Sequence, residues 1–117
     1  MTFEEIQPYV IPAAAAVYLI YRFLKFRRVK AGLPGLAAGG AVFVDVRTPA
    51  EHAAGSRPGS LNIPLDELER RAGELDKSRT IVLCCASGAR SGVAASILKR
   101  KGFTVVNAGP WQNTLDR

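Results

Sequence analysis

The first hydrophobic stretch of the chain is long, uncharged and close to the N-terminus. Residues 6–21 (IQPYVIPAAAAVYLIY) carry no charged side chain, and basic residues follow directly, namely Arg22, Lys25, Arg27, Arg28 and Lys30. A transmembrane helix needs about 20 apolar residues, with roughly 17 as the lower limit. The segment from Phe3 to Leu24 reaches that length if Arg22 extends its guanidinium to the headgroups. The pattern predicts one membrane-spanning helix through residues 6–24, which Pro12 begins or kinks.

Three other interpretations of this stretch fit less well. A cleaved signal peptide starts with positive charge, whereas Glu4 and Glu5 make this start acidic. A helix that lies on the membrane surface needs a polar face, which residues 8–21 lack. A buried core helix has no evident role beside the small domain that follows. Because basic residues are retained in the cytoplasm, we expect a single-pass protein with its C-terminal domain on the cytoplasmic side.

The segment after the basic cluster is uncharged and rich in small residues. Residues 31–40 (AGLPGLAAGG) are typical of a linker between an anchor (residues 1–30) and a domain (residues 41–117). They are equally compatible with an irregular start of that domain, in which Leu33 and Leu36 pack on the core.

From residue 41 onward, short apolar runs alternate with helical patterns. The runs that predict strands are 41–46 (AVFVDV), 61–63, 80–84 (TIVLC) and 103–107 (FTVVN), and the helical patterns are 48–55, 64–75 and 90–102. Such alternation predicts an α/β fold, with a small, mainly parallel sheet flanked by helices on both faces and preceded by one transmembrane helix. Ligands of these folds bind beyond the carboxyl ends of the strands, where residues 84–90 lie.

The charge and cysteine content narrow the function. Half of the formal net charge of +6 comes from residues 1–30, where topology and anionic lipid explain it. No basic stripe with interleaved aromatic residues is present, so nucleic acid is not an expected partner. The two cysteines are adjacent, which excludes a disulfide framework. In a cytoplasmic domain they stay thiols, free for chemistry.

The chemistry is carried by residues 84–90, CCASGAR. A strand, a tight loop of small residues and a helix form a cradle in which backbone amides bind an anion. The N-terminus of the following helix lowers the pKa of a thiol at the loop's start, and Arg90 can shield the thiolate or bind an oxyanion. Cys84 completes an apolar strand and is expected to be a buried structural residue. Cys85 stands where strand, loop and helix meet, and it is the expected nucleophile.

Two stretches of the chain, VFVDVRTPAEHAAGSRPGSLNIPLDEL and IVLCCASGARSGVAASILKRKGFTVVNAGPWQ, resemble single-domain rhodaneses over residues 40–114. The resemblance implies that Cys85 is catalytic and that the loop binds substrate through Ala86, Ser87, Gly88, Ala89 and Arg90. It implies that Asp45, Arg47 and Glu51 support the structure, and that no metal or organic cofactor is needed. The implied reaction moves sulfane sulfur from thiosulfate or a persulfide to cyanide, a thiol or a protein cysteine through a Cys85 persulfide.

The chain departs from the family's pattern at Ser56, where a histidine is usual, and that change puts a bracing contact in doubt. His52 is expected to be a packed or half-exposed residue, since no partner motif accompanies it. Two alternatives stay open. A cysteine phosphatase or arsenate reductase would use the longer C-x-x-x-x-x-R spacing from Cys84, and a non-catalytic binding module would use neither thiol. The sulfur donor, the acceptor and the oligomeric state do not follow from the sequence.

Overall fold

The computed structural model describes residues 2–115. The first helix, α1 (Phe3–Ala38), begins at a capping box: the Thr2 hydroxyl accepts the Glu5 amide at 3.3 Å, and the Glu5 carboxylate accepts the Thr2 amide at 2.9 Å. The helix has 36 residues and contains Pro8, Pro12 and Pro34. Its side chains up to residue 21 are exposed, and the helix contains a stretch long and apolar enough to cross a membrane.

Four short parallel strands form one sheet. They are β1 (Val42–Asp45), β2 (Leu61–Asn62), β3 (Ile81–Cys85) and β4 (Val105–Pro110), arranged in the order β2-β1-β3-β4. The connections between the strands contain α2 (Pro49–Ala54), α3 (Leu65–Arg71) with a 3₁₀ turn at Ala72–Glu74, and α4 (Ala89–Arg100); a second 3₁₀ turn, Trp111–Thr114, follows β4. The α/β fold with a small parallel sheet, and the long apolar helix in front of it, are confirmed.

The central strand β3 divides the core into two clusters. Successive side chains of a strand point to opposite faces of the sheet. Ile81, Leu83 and Cys85 therefore pack in the cluster beneath α3 and α4, together with Leu68 and Leu98. Val82 and Cys84 belong to the second cluster, on the face that the C-terminal part of α1 covers. The two adjacent cysteines thus lie on opposite faces.

Residues 31–38, which the sequence assigns either to a linker or to an irregular start of the domain, are helical. They form the last two turns of α1, where Leu33 is buried at 3% exposure and Leu36 packs against the second cluster. Two physical reasons explain the difference. Alanine favours helix, and Leu33 and Leu36 are spaced by three residues, so both reach the sheet. The alternative in which these leucines pack on the core describes the contacts correctly, although the segment is regular rather than irregular.

Candidate functional site

Cys85 is the last residue of β3, and its sulfur lies beneath the first turn of α4. The Gly88 amide donates a hydrogen bond to Sγ over 2.9 Å, and the Ser91 amide donates another over 3.4 Å. The Ser91 hydroxyl lies 3.4 Å from the same sulfur. The thiol has no exposed surface. The loop therefore encloses the sulfur of Cys85 with hydrogen-bond donors.

These donors change the acidity of the Cys85 thiol. Burial acts to raise its pKa, because a thiolate loses hydration in the interior. Hydrogen bonds from the Ser91 hydroxyl and from the amides of Ser91, Gly88 and Ser87 act in the opposite direction and outweigh burial. The pKa of Cys85 consequently lies below the ordinary value for cysteine, so a larger fraction of this thiol is ionised at a given pH than in an ordinary cysteine.

The loop needs glycine at position 88. Gly88 has φ = 99°, a left-handed conformation, and it stands immediately before the first residue of α4. A Cβ atom here would lie 3.1 Å from the Cα of Gly109 and 3.1 Å from the Phe26 ring. Gly88 is buried, while Ala86, Ser87 and Ala89 are exposed, and their small side chains leave the amides free to turn inward.

Cys84 has a different environment. It is 1% exposed and packs in the cluster beneath α1, away from the loop amides that contact Cys85. Burial, together with the nearby negative charge of Asp45, raises the pKa of Cys84 to about 12. A neutral, enclosed thiol of this kind is a poor nucleophile, so this geometry does not favour the longer loop that would begin at Cys84.

Arg90 closes the loop, but its guanidinium is paired with a carboxylate from α2. Its Nη1 and Nη2 atoms donate to the two carboxylate oxygens of Glu51 over 2.8 and 2.9 Å. The Arg90 bond, followed by those from the Thr48 backbone and hydroxyl, lowers the pKa of Glu51 to about 2. Glu51 thus holds the loop's arginine while it also caps α2 through Thr48. A role for Arg90 in binding substrate stays a prediction.

Asp45 and Arg47 form a buried ion pair at the end of β1. The Arg47 guanidinium donates to the Asp45 carboxylate through Nε at 3.0 Å and Nη2 at 2.7 Å, and Nη2 also donates to the Gly55 carbonyl at 2.7 Å. The hydrogen bonds that Arg47 donates to Asp45 raise the pKa of Arg47 against the opposing effect of burial. The Trp111 ring lies 5.0 Å from the guanidinium. The pair therefore connects β1 to the end of α2 and to the C-terminal 3₁₀ turn.

Known proteins are similar to this chain over most of the domain. The family described as the rhodanese-like domain matches residues 33–109. The chain belongs to the rhodanese-like domain family. This rhodanese-like domain is 42% identical over 62 residues to a sulfurtransferase of Allochromatium vinosum, covering 53% of this chain and 58% of that protein. It is 39% identical over 70 residues to the thiosulfate sulfurtransferase PspE of Escherichia coli, covering 57% of this chain and 67% of PspE.

A solved structure agrees with these relatives. The human single-domain sulfurtransferase TSTD1 superimposes with a TM-score of 0.58 at 33% identity, covering 67% of this chain and 83% of the human one. The chain spans 37% of the length of YrkF of Bacillus subtilis, to which it is 43% identical over 68 residues, and 58% of the length of the Allochromatium sulfurtransferase. What these relatives share with this chain is therefore the rhodanese-like domain.

Three residues at the site of this rhodanese-like domain were not anticipated individually. Ser91 and Asn107 form a polar pair beside the sulfur: the Ser91 hydroxyl donates to Asn107 Oδ1 over 2.6 Å, and that oxygen also accepts the Gly109 amide over 2.9 Å. A serine has one hydroxyl proton, so Ser91 donates either to Asn107 or to the Cys85 sulfur. The sequence feature that could have indicated Ser91 is its position in the first turn of the helix after the loop. The third residue is Arg22, which reaches the loop from α1.

His52 is half-buried, and its Nε2 lies 3.1 Å from the Ser60 hydroxyl. That contact fits the expected packed histidine. Among residues 2–115, no group of three or more His, Cys, Asp or Glu side chains is placed to hold a metal ion.

Proposed function

We propose that this rhodanese-like protein is a sulfurtransferase in which Cys85 carries the transferred sulfur as a persulfide. The observation that carries the proposal is the convergence of the Gly88 and Ser91 amides on Cys85 Sγ at the start of α4, with the Ser91 hydroxyl 3.4 Å from the same sulfur. These donors stabilise negative charge on Sγ of the free thiolate, and again when Cys85 becomes the leaving group as the persulfide is cleaved. The related sulfurtransferases support the reaction class.

The proposed reaction has two displacements. In the first, the Cys85 thiolate attacks the outer sulfur of thiosulfate. A sulfur–sulfur bond to Cys85 forms, the bond to the sulfonate sulfur breaks, and sulfite leaves with the electron pair. In the second, an acceptor thiolate or cyanide attacks the outer sulfur of the persulfide, and Cys85 leaves as a thiolate. No net oxidant or reductant is consumed, because each step transfers a neutral sulfur atom between nucleophiles.

The enclosure of Cys85 favours a small or slender sulfur donor. Its thiol has no exposed surface, so a donor presents a terminal sulfur to it more readily than an internal one. A persulfide carries its outer sulfur about 2 Å beyond Sγ, given the length of a sulfur–sulfur bond. The second step can therefore take place nearer the surface, where a bulkier acceptor such as a protein thiol has access.

The phosphatase alternative is less well supported by the geometry. It needs Cys84 to face the cradle, but the amides of Gly88 and Ser91 point to Cys85 instead. The binding-module alternative does not account for a thiol whose pKa the surrounding donors lower.

The test is the mass of the protein after incubation with thiosulfate. We expect one added sulfur atom in the wild type and in Cys84→Ala, and none in Cys85→Ser. Tryptic peptides place the added atom on Cys85. The proposal fails if Cys85→Ser still gains the sulfur, or if the wild type gains none. Release of phosphate from a phosphoester in a reaction that requires Cys84 would then support the phosphatase alternative.

We further propose that residues 6–24 anchor the protein in a membrane, with residues 1–30 as anchor and basic flank and the domain in the cytoplasm. The mean hydropathy of the apolar window of α1 is 1.3, and none of that window is buried against the domain. About 20 helical residues span the 30 Å hydrocarbon core, and Phe3 to Arg22 are that many.

Membrane extraction tests the anchor. The full chain is expected to stay with membranes washed in alkaline carbonate. The double variant Ile11→Asp, Ala15→Asp is expected in the supernatant, because a charge near the bilayer centre costs about 3 kcal/mol. Release of the wild-type chain by the same wash would contradict the anchor.

A further inference from the structure

The end of the predicted membrane span, residues 6–24, lies directly against the loop that follows Cys85. Arg22 Nη2 donates a hydrogen bond to the Ser87 carbonyl over 2.6 Å, across 65 positions of sequence. One turn further along α1, the Phe26 ring packs against the loop. A Cβ atom at Gly109 would lie 2.9 Å from that ring, so Phe26 needs glycine there. The loop is thus in contact with α1 as well as with α4.

The position of Arg22 is itself constrained. Its guanidinium carbon lies 5.4 Å from the centre of the Phe26 ring, an arrangement that favours a cation over the face of an aromatic ring. The Phe26 ring packs against Gly88 and Gly109, which fixes its position. The ring in turn holds the Arg22 guanidinium beside Ser87. This geometry distinguishes Arg22 from a solvated side chain at a membrane surface.

The Ser87 carbonyl and the Gly88 amide belong to the same peptide group. At one end, this group accepts from the Arg22 guanidinium over 2.6 Å. At the other end, its N–H donates to Cys85 Sγ over 2.9 Å. A cation at the carbonyl polarises the peptide and strengthens the bond that the N–H donates, because linked hydrogen bonds reinforce one another. The Arg22 guanidinium is thus linked to the Cys85 sulfur through a single peptide group.

We propose that Arg22 is a positioning residue for sulfur transfer, which orients and polarises the Ser87–Gly88 peptide so that its N–H stabilises negative charge on Cys85. The proposal rests on the proposed function of Cys85 as the sulfur carrier. It assigns to α1 a second role beside anchoring, since the helix supplies part of the hydrogen-bond network around the reactive sulfur.

Two other arginines near the loop are already paired with carboxylates. The guanidinium of Arg90 is occupied by Glu51, and that of Arg47 by Asp45. Lys25 lines the cavity of about 320 Å³ between α1 and the loop, together with Gly88 and Asn107. The titratable and charged groups near Cys85 are thus, by element, Arg22 and Lys25 of α1, Asp45 of β1 with Arg47 after it, Glu51 of α2, Cys84 of β3 and Arg90 of α4.

The test compares Arg22→Gln, Arg22→Lys and Arg28→Gln in the full chain held in detergent micelles. Arg28 is exposed on the same helix, so its replacement removes the same charge without touching the loop. The measurement is the rate at which iodoacetamide alkylates Cys85 as a function of pH, with Cys84 followed separately by peptide mass. A purely structural role for Arg22 would lower stability without moving the midpoint of this profile.

We expect Arg22→Gln to raise the alkylation midpoint of Cys85 by about 0.5 to 1 pH unit, because a cation that favours the thiolate is lost. Alkylation at a pH below both midpoints should slow by roughly threefold to tenfold, the same shift expressed as a thiolate fraction. Arg22→Lys should recover part of the shift, because an ammonium also donates to a carbonyl. Arg28→Gln should leave the midpoint unchanged.

The proposal is overturned if Arg22→Gln leaves the midpoint at the wild-type value, or if Arg28→Gln raises it equally. Phe26→Leu provides a second route if Arg22→Gln does not fold, since it removes the aromatic support but keeps apolar contact. It should raise the midpoint by less than Arg22→Gln, and no shift in it would overturn the proposal in that case. If the wild type forms no persulfide with thiosulfate, the proposed function fails, whereas the alkylation profile still reports on Arg22.

Discussion

Serine at position 85 is expected to lower the rate of sulfur transfer from thiosulfate to cyanide by roughly four orders of magnitude or more. The reason is that a hydroxyl neither ionises near neutral pH nor forms a persulfide, so the covalent route is closed. The loop donors at Gly88 and Ser91 stay in place, and the fold is expected to be retained. The measurement is the steady-state formation of thiocyanate by the purified full chain.

The matched control for this variant is Cys84→Ala, in the neighbouring position of the same strand. Cys84 lies on the other face of β3, and burial raises its pKa to about 12, so it is not expected to take part in the reaction. Its rate should stay within about threefold of the wild type, as expected for a small change in packing. A folded Cys84→Ala protein as inactive as Cys85→Ser would contradict the assignment of the nucleophile.

The variant Asp45→Ala is expected to lower the stability of the domain by about 3 to 5 kcal/mol, because it leaves the Arg47 guanidinium buried without its carboxylate partner. Arg47 is 5% exposed and donates to the Asp45 carboxylate through both Nε and Nη2. Its remaining acceptor is the Gly55 carbonyl, which cannot balance the charge. The measurement is urea unfolding of the full chain in micelles, followed by the fluorescence of Trp111, which lies over Arg47.

The control for the Asp45 variant is Glu74→Ala, which also removes a carboxylate from an arginine. Glu74 accepts from Arg71 at 2.8 Å, but its side chain is 55% exposed. Exposed pairs contribute about 0 to 1 kcal/mol, since water competes for both partners. A cost for Asp45→Ala as small as that for Glu74→Ala would show that the Asp45–Arg47 pair does not hold the end of β1 in place.

Much of the fold could be predicted from local patterns. The apolar runs at 41–46 and 80–84 became β1 and β3 to within a residue or two, because short β-branched segments in an α/β pattern are buried on both sides. The loop after Cys85 could also be predicted from the sequence, since small residues between a strand and a helix need no long-range partner to form a cradle. The predicted helix 90–102 is α4, Ala89–Arg100.

The role of α1 in the domain could not be predicted in the same way. Residues 31–40 have the composition of a linker, and only their contact with the second core cluster shows why they remain helical. The inner side of α1 is a stripe of Arg22, Phe26, Val29, Leu33 and Leu36, spaced by three or four residues. The residues before this stripe in the sequence are apolar all round the helix, and basic residues lie between its members along the chain. A count of hydrophobic residues therefore does not reveal the pattern.

The order of residues along the chain sufficed to assign the α/β class, the loop and Cys85 as the expected nucleophile, because each depends on neighbours within a few positions. The tertiary structure alone determined which partners the side chains around the sulfur contact. It paired Arg90 with Glu51 from α2, placed Asn107 beside Ser91, and brought Arg22 of α1 to the Ser87 carbonyl. These contacts join segments 16 to 65 positions apart. Their geometry is set by the packing of helices on the two faces of the sheet, and no local pattern contains it.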